Sequence, residues 1–144
     1  MELKLIELTH KNDVCKIYEI YKYCMFMPTE EKFNKKIATF LIDNSVKIFA
    51  CFNRGEMAGV IVVSFLEQGK IEIIGIAVDL SARSKGIGSY MINQLVNDYD
   101  LVSVYAETDN DGIDFYRKNG FSVTEFSEIY DGEIVVRYKC ELNR

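Results

Sequence analysis

Hydrophobic and polar positions along the chain follow two periods, which predicts a mixture of strands and helices. Short apolar runs of strand length are separated by turn residues, and other segments repeat apolar residues at every third or fourth position. The predicted strands are residues 3–8, 46–52, 57–66, 71–78, 101–107, 121–128 and 133–142. Hairpin turns join some of these strands and helices join others. We therefore expect an α/β (α+β) fold, with a central mixed, mostly antiparallel sheet flanked by helices.

Four helices are predicted from the apolar spacing and from residues that cap or break helices. One begins at Asp13 and ends before Pro28, the only proline of the chain. Thr29 can cap the second helix, because its hydroxyl can accept a bond from a free N–H group of the first turn. The other two helices cover residues 86–99 and 110–118.

The loop between the predicted strand 71–78 and the helix that follows carries the first chemical signal. It reads Arg83-Ser84-Lys85-Gly86-Ile87-Gly88. Two glycines let an anion approach the backbone, and the start of a helix presents unpaired N–H groups and a positive dipole end. The sequence therefore predicts a phosphate site. A Walker A string is absent, and Met91 stands where a dinucleotide fingerprint needs a third glycine.

Arg83, Gly86 and Gly88 fit the pattern Arg/Gln-x-x-Gly-x-Gly/Ala, and a second block follows a predicted strand. This block is Phe115-Tyr116-Arg117-Lys118-Asn119-Gly120-Phe121. In order and spacing, the two blocks resemble the GNAT superfamily of acyl-CoA-dependent N-acyltransferases over residues 71–121. The resemblance implies a GNAT-like single domain, residues 1–144, and acetyl-CoA as co-substrate.

The resemblance also implies how coenzyme A is held. Its pyrophosphate would bind main-chain N–H groups of Arg83, Ser84, Lys85, Gly86, Ile87, Gly88 and Ser89. Its pantetheine arm would lie along the strand edge at Ile76 and Val78, like an added strand. The family often has Asn-x-x-Ala before the second block. Here Asp109 takes the asparagine position and Gly112 the alanine position, so Asn110 would either contact the arm or cap the helix.

Tyr116 matches the tyrosine that protonates the leaving thiolate in many family members; its alternative role is packing beside Phe115. Glu72 matches the general base of the histone acetyltransferase branch, although it could equally be a water-facing residue at a strand start. Glu107 is a second candidate for the base, and an ordered water is a third. A backbone N–H of the 76–78 edge would stabilise the oxyanion.

Composition limits the partners and the compartment. The chain has 49% hydrophobic and 27% charged residues, which suits one folded domain. A net charge of −5 argues against nucleic-acid binding. No apolar run reaches the roughly 18 residues of a membrane span, and the first residues lack the apolar segment of a signal peptide. We therefore expect a cytoplasmic protein that binds no membrane.

The cysteines predict neither a metal site nor disulfides. Cys15, Cys24, Cys51 and Cys140 are scattered, and the chain has one histidine. We expect all four to be buried small apolar residues in a reducing compartment.

These observations lead to one function and one alternative. The expected function is acetyl transfer from acetyl-CoA to a primary amine of a small molecule or a peptide or protein, by direct attack. The alternative is a non-catalytic acyl-CoA-binding sensor or partner module with the same fold. A homodimer is the expectation from base rates alone.

Overall fold

The computed structural model describes all of residues 1–144 and contains one seven-stranded mixed sheet. In space the strands follow the order β1-β2-β3-β4-β5-β7-β6. Only β4 and β5 run parallel; every other neighbouring pair is antiparallel. The strands are β1 (Leu3–Leu8), β2 (Val46–Asn53), β3 (Glu56–Phe65), β4 (Lys70–Val78), β5 (Ser103–Thr108), β6 (Ser122–Tyr130) and β7 (Glu133–Asn143). The predicted fold class is confirmed.

Five α-helices flank the sheet. They are α1 (Lys11–Val14), α2 (Tyr18–Tyr21), α3 (Glu30–Ile42), α4 (Ile87–Asp98) and α5 (Ile113–Lys118). Short 3-10 turns connect some of them, at Cys15–Ile17, Lys22–Cys24, Leu80–Ala82 and Asn110–Gly112. The Thr29 hydroxyl caps α3 by accepting from the Lys32 N–H at 3.1 Å, as expected. None of the helices has the length and apolar content needed to cross a bilayer.

The first predicted helix is not continuous. Residues 11–24 form alternating α and 3-10 turns, and His10 rather than Asp13 precedes the first turn. The reason lies in the buried positions Val14, Ile17 and Ile20, which recur every third residue. Three residues per turn is the 3-10 repeat, so the tighter winding keeps all three on the sheet.

Each face of the sheet carries its own hydrophobic core. The larger core has 19 buried residues and includes Met91 and Leu95 of α4 with Tyr116 and Phe121 near α5. The smaller core has 10 buried residues and includes Phe33 of α3. Helices α1 to α3 therefore cover one face, and α4 and α5 cover the other.

Pairing between β4 and β5 stops halfway along the strands. Its last pair is Ile73 with Ala106, although β4 continues to Val78. In the ladder between β3 and β4 the register shifts at the same height, and Ile74 has no partner. A β-bulge of this kind bends a strand and increases its twist. The two central strands therefore part after Ile73.

Gly75 comes directly after the bulge, and no larger residue would fit at this position. A Cβ atom at this position would lie 2.8 Å from Cζ of Tyr21, whose ring covers the glycine from α2. Glycine at position 75 thus allows a tyrosine ring to approach the backbone closely where the strand is irregular.

The cysteine prediction is half wrong. Cys51 and Cys140 are buried in the larger core, but Cys15 and Cys24 are exposed. Both exposed cysteines lie in the segment of residues 11–24, off the face formed by Val14, Ile17 and Ile20. The tight winding of that segment turns Cys15 away from the sheet, whereas Cys24 ends the segment next to β4.

Candidate active site

The gap between β4 and β5 is the mouth of a cavity of about 1220 Å³. Residues Ile73–Val78 of β4 form one wall, and Glu107, Thr108 and Asp109 at the end of β5 form the opposite wall. The loop before α4 closes one end, and α5 contributes Phe115 and Tyr116. Four neighbouring residues of the segment before α3 also line the cavity: Tyr23, Cys24, Met25 and Phe26.

The loop before α4 presents a row of unpaired backbone donors. None of the seven N–H groups from Arg83 to Ser89 donates to another group of the chain. Ser84 (φ 64°) and Gly86 (φ 79°) adopt left-handed conformations, which curl the backbone into a concave nest of N–H groups. The nest ends at the first turn of α4, where the helix dipole is positive. The loop therefore has the geometry and polarity of an anion site.

The two loop glycines serve different purposes. At Gly86 a Cβ atom would meet nothing within 4 Å, so only the left-handed backbone favours glycine there. At Gly88 a Cβ atom would lie 2.7 Å from Cε1 of Phe115. Gly88 thus allows α4 to pack closely on α5, whereas the sequence suggested that both glycines give an anion access to the backbone.

The basic side chains of the loop point to different places. Nε of Arg83 donates to the Val78 carbonyl oxygen at 3.2 Å, and its guanidinium carbon lies 5.0 Å from the ring centre of Tyr23. Arg83 therefore links the loop to β4 and to the segment before α3 that contains Tyr23. Lys85 does not line this cavity; it borders a small neighbouring one with Glu56 and Asp79.

The edge of β4 that faces the cavity offers free backbone groups. The Asp79 N–H donates to the Ala58 carbonyl at 2.8 Å, which places Asp79 and Ala77 in the hydrogen-bonded positions of the ladder with β3. Backbone direction alternates along a strand, so Ile76 and Val78 direct their N–H and C=O groups away from β3, into the gap. An extended ligand could pair there as an additional strand.

Tyr116 lies at the inner end of the cavity with 5% of its surface exposed. Its ring packs edge-on against Phe115 and Phe121, each with ring centres 5.1 Å away. Its hydroxyl has no hydrogen-bond partner in the chain, and yet it is not sealed from solvent. Burial raises the pKa of Tyr116 above its ordinary value, so the hydroxyl is a proton donor at neutral pH.

The two candidate carboxylates occupy different positions. Glu107 lines the cavity at the point where β4 and β5 part, and it accepts a hydrogen bond from the Tyr105 hydroxyl at 2.6 Å. Glu72 is paired with Tyr105 in the ladder and does not line the cavity. Burial, and then the charge of Glu107, raise the pKa of Glu72.

The turn after β5 differs from the expected arrangement. Asp109 lines the cavity, and its carboxylate accepts from the Asp111 N–H at 3.0 Å; Asn110 does not line the cavity. Gly112 is required because a Cβ atom there would overlap Oγ1 of Thr108. The threonine side chain thus takes the space that the alanine of the family pattern would fill.

The cavity brings together most of the residues predicted from sequence. Those that line it are Ile76, Val78, Arg83, Ser84, Gly86, Ile87, Gly88, Ser89 and Tyr116, whereas Glu72, Lys85 and Asn110 do not. Sequence reasoning missed Cys24 and the β6–β7 residues Glu128, Val135 and Arg137. No local motif marks these residues, because only the packing of distant segments brings them to the cavity.

Comparison with known proteins identifies the family. The sequence profile of the acetyltransferase (GNAT) family matches residues 14–121. The chain belongs to the GNAT acetyltransferase family. The match confirms the predicted family and the enzyme class; acetyl-CoA is the co-substrate of GNAT enzymes. No protein of curated function matches the sequence of this GNAT chain significantly.

Solved structures share the fold at low sequence identity. An acetyltransferase from Bacillus subtilis in complex with CoA is 17% identical and has a TM-score of 0.71, with 99% of each chain covered. The ribosomal-protein-S18-alanine N-acetyltransferase of Escherichia coli is 17% identical with a TM-score of 0.72, covering 99% of this chain and 94% of the other. A mutant spermidine N-acetyltransferase from Vibrio cholerae is 13% identical with a TM-score of 0.74, covering 98% and 93%.

The contact between α4 and α5 can be tested by a double-mutant cycle. Gly88→Ala places a methyl group against the Phe115 ring, and we expect it to lower the free energy of unfolding by about 1–3 kcal/mol. Phe115→Leu removes that ring edge, so the double variant should be more stable than the sum of the two single effects predicts. Urea unfolding of the four proteins measures the coupling. Effects that add within about 0.5 kcal/mol would show that the two residues do not interfere.

Proposed function

We propose that this GNAT domain transfers the acetyl group of acetyl-CoA to a primary amine of a small molecule or of a peptide or protein. The observation that carries the proposal is the row of seven unpaired N–H groups from Arg83 to Ser89, which borders the same cavity as the free edge of β4. A diphosphate matches the row of N–H groups, and an amide-containing arm matches the free strand edge. Acetyl-CoA carries both groups in one molecule.

The loop and the strand edge would divide the work of binding. The N–H groups of the loop and the dipole of α4 bind the pyrophosphate, and Lys85 adds positive charge from outside the cavity. Ile76 and Val78 pair with the pantetheine amides. Since Asp109 rather than Asn110 lies at the cavity wall, a further contact to the arm would come from the Asp109 carboxylate, which can only accept.

Tyr116 would protonate the departing thiolate. Its hydroxyl is protonated, unpartnered and open to the cavity. A buried tyrosine is a weaker acid than a tyrosine in water, but the same enclosure raises the pKa of any thiol beside it. Because both pKa values are raised, the difference between them changes little. The free energy of proton transfer from Tyr116 to the thiolate therefore stays small.

Glu107 would accept the proton of the attacking amine, directly or through a water. A lysine-like amine has a pKa of about 10.4, so freeing it at pH 7 costs about 4.6 kcal/mol without a base. Glu107 lines the cavity and is held by the Tyr105 hydroxyl, whereas Glu72, which the family resemblance favours, lies behind it. We therefore assign the base to Glu107 and a supporting position to Glu72.

The walls of the cavity also support an amine as the acceptor. Glu107, Asp109 and Asp111 line it without an ion-pair partner, whereas Glu128 is paired with Arg137 at 3.6 Å. The three unpaired carboxylates favour a cationic group, although Lys118 also lines the cavity. Two of the similar structures are named for N-acetyl transfer to spermidine and to the alanine of a ribosomal protein. Both names describe transfer to nitrogen, which agrees with the acceptor proposed here.

The loop is tested by Gly86→Ala, with Gly55→Ala as a matched control. Both glycines have a left-handed backbone (φ 79° and 84°) and nothing within 4 Å of an added Cβ. Each change should therefore cost about 1–3 kcal/mol of stability. Only Gly86→Ala should disturb the nest, and we expect it to weaken acetyl-CoA binding by about tenfold or more in calorimetry. Equal affinities for acetyl-CoA in both variants would contradict this role of the loop.

Tyr116→Phe tests the proton donor. Release of free thiol from acetyl-CoA, followed with a panel of amines, should fall about 100-fold in kcat, while the affinity for acetyl-CoA stays the same. Because burial raises the pKa of Tyr116, the wild-type rate should show no loss from its ionisation up to about pH 10. Tyr90→Phe is the control, because it removes a tyrosine hydroxyl that donates to the Leu3 carbonyl oxygen outside the cavity. Unchanged turnover in the Tyr116 variant would instead favour packing as its role.

The base is tested by comparing Glu107→Gln with Glu72→Gln. We expect Glu107→Gln to lower kcat/KM by about 100-fold at pH 7 and to recover as the pH rises, because the amine then loses its proton to solvent. Glu72→Gln should change kcat/KM by less than about threefold, since Glu72 does not reach the cavity. A larger loss of kcat/KM in Glu72→Gln than in Glu107→Gln would instead identify Glu72 as the base.

A further inference from the structure

Cys24 lines the candidate site, and the proposed transfer reaction does not use it. It ends the turn Lys22–Cys24 and lines the cavity with the strand edge of β4 and with Tyr116. It is exposed, in contrast to Cys51 and Cys140. The sulfur itself is partly buried in the cavity wall, where it donates to the Tyr21 carbonyl oxygen, and a molecule that enters the cavity meets it there.

Cys24 shares the cavity with the groups assigned to the thioester. Its thiol donates to the Tyr21 carbonyl oxygen at 3.2 Å. The turn Lys22–Cys24 packs against β4, and Cys24, Ile76 and the Tyr116 side chain line the same cavity. The Tyr116 hydroxyl is an unpartnered donor on a side chain with 5% exposure, and it opens into the same cavity. If Tyr116 protonates the sulfur of CoA, that sulfur lies in the cavity that Cys24 lines.

We infer that Cys24 is a reversible modification site for coenzyme A itself, and that CoA disulfide bound through the loop before α4 forms a mixed disulfide with it. The inference rests on the proposed function, because it uses the same placement of CoA. A CoA group attached to Cys24 fills the cavity from the loop to Tyr116 and excludes acetyl-CoA. The modification thus turns off the site under oxidising conditions.

The exchange needs no other oxidant. The Cys24 thiol gives its proton to solvent, and its sulfur attacks one sulfur of CoA disulfide. The S–S bond of CoA disulfide breaks, a new S–S bond joins Cys24 to one CoA, and the other CoA leaves as a thiolate that takes a proton. Cys24 is oxidised and the departing CoA is reduced, so atoms and electrons balance. A small dithiol reverses the step.

The specificity would come from binding of CoA and not from a reactive thiol. Burial among the cavity walls raises the pKa of the Cys24 thiol to about 11, although the Tyr21 side chain and the Ile76 N–H partly oppose the rise. Only a small fraction of the protein has Cys24 as a thiolate at neutral pH, so Cys24 reacts slowly with a disulfide that comes from solution. A disulfide held by the loop reacts as a neighbour, and this proximity can outweigh the low thiolate fraction.

The experiment treats the whole chain with CoA disulfide and follows intact and peptide masses over time. We expect addition of one CoA at Cys24, about tenfold or more faster than at Cys15, the other exposed cysteine. Cys24→Ser should abolish this addition, and Cys15→Ser, the matched control, should leave it unchanged. Saturating acetyl-CoA should slow it about tenfold or more, and dithiothreitol should remove the adduct. Oxidised glutathione, which lacks the groups that bind the loop, should show no preference for Cys24.

The outcomes separate this inference from the proposed function when acetyl-CoA binding is measured by calorimetry on the same protein. Binding of acetyl-CoA without a CoA adduct at Cys24 would overturn the inference alone. Equal reaction at Cys15 and Cys24, or equal reaction of Cys24 with glutathione, would also overturn it by showing that binding does not direct the exchange. Absence of acetyl-CoA binding would overturn the proposed function, and the inference with it.

Discussion

The early end of the pairing between β4 and β5 is the constraint on which the rest of the site depends. After Ile73 and Ala106 the central strands have free inner edges, although they lie in the middle of the sheet. Unpaired backbone groups in an interior are costly unless water or a ligand satisfies them. The gap therefore has to remain an open cavity, and the elements around it have to support its walls without filling it.

Two close contacts hold those walls, one on each side of the sheet. The ring of Tyr21 covers Gly75 just beyond the bulge, and the ring of Phe115 packs on Gly88 at the start of α4. In both cases an aromatic ring from one element rests on the backbone of another, which fixes their separation more tightly than contacts between flexible side chains. The bulge, the loop and α5 are thus positioned relative to one another by glycine backbones.

The two ends of the cavity differ in solvation, and this difference suits the chemistry of an amine and a thioester. Tyr116 and Cys24 lie where enclosure disfavours charge, and the pKa of each is raised. Glu107 is exposed at the branch point of β4 and β5. A cationic amine can therefore meet a carboxylate near solvent, while the sulfur chemistry takes place among groups that remain neutral.

The sequence by itself determined the family, the positions of the strands along the chain and the loop before α4, because each depends on residues that are close along the chain. Glycines at fixed spacing and alternating apolar residues predict the local backbone conformation directly. Only the tertiary structure decided that Glu107 lines the cavity and Glu72 does not, that Asp109 replaces Asn110 at the wall, and that Cys24 lines the same cavity as Tyr116. These outcomes follow from a one-residue bulge and a 3-10 repeat. Both reorient side chains through packing between segments that are distant in sequence, and no local pattern records such packing.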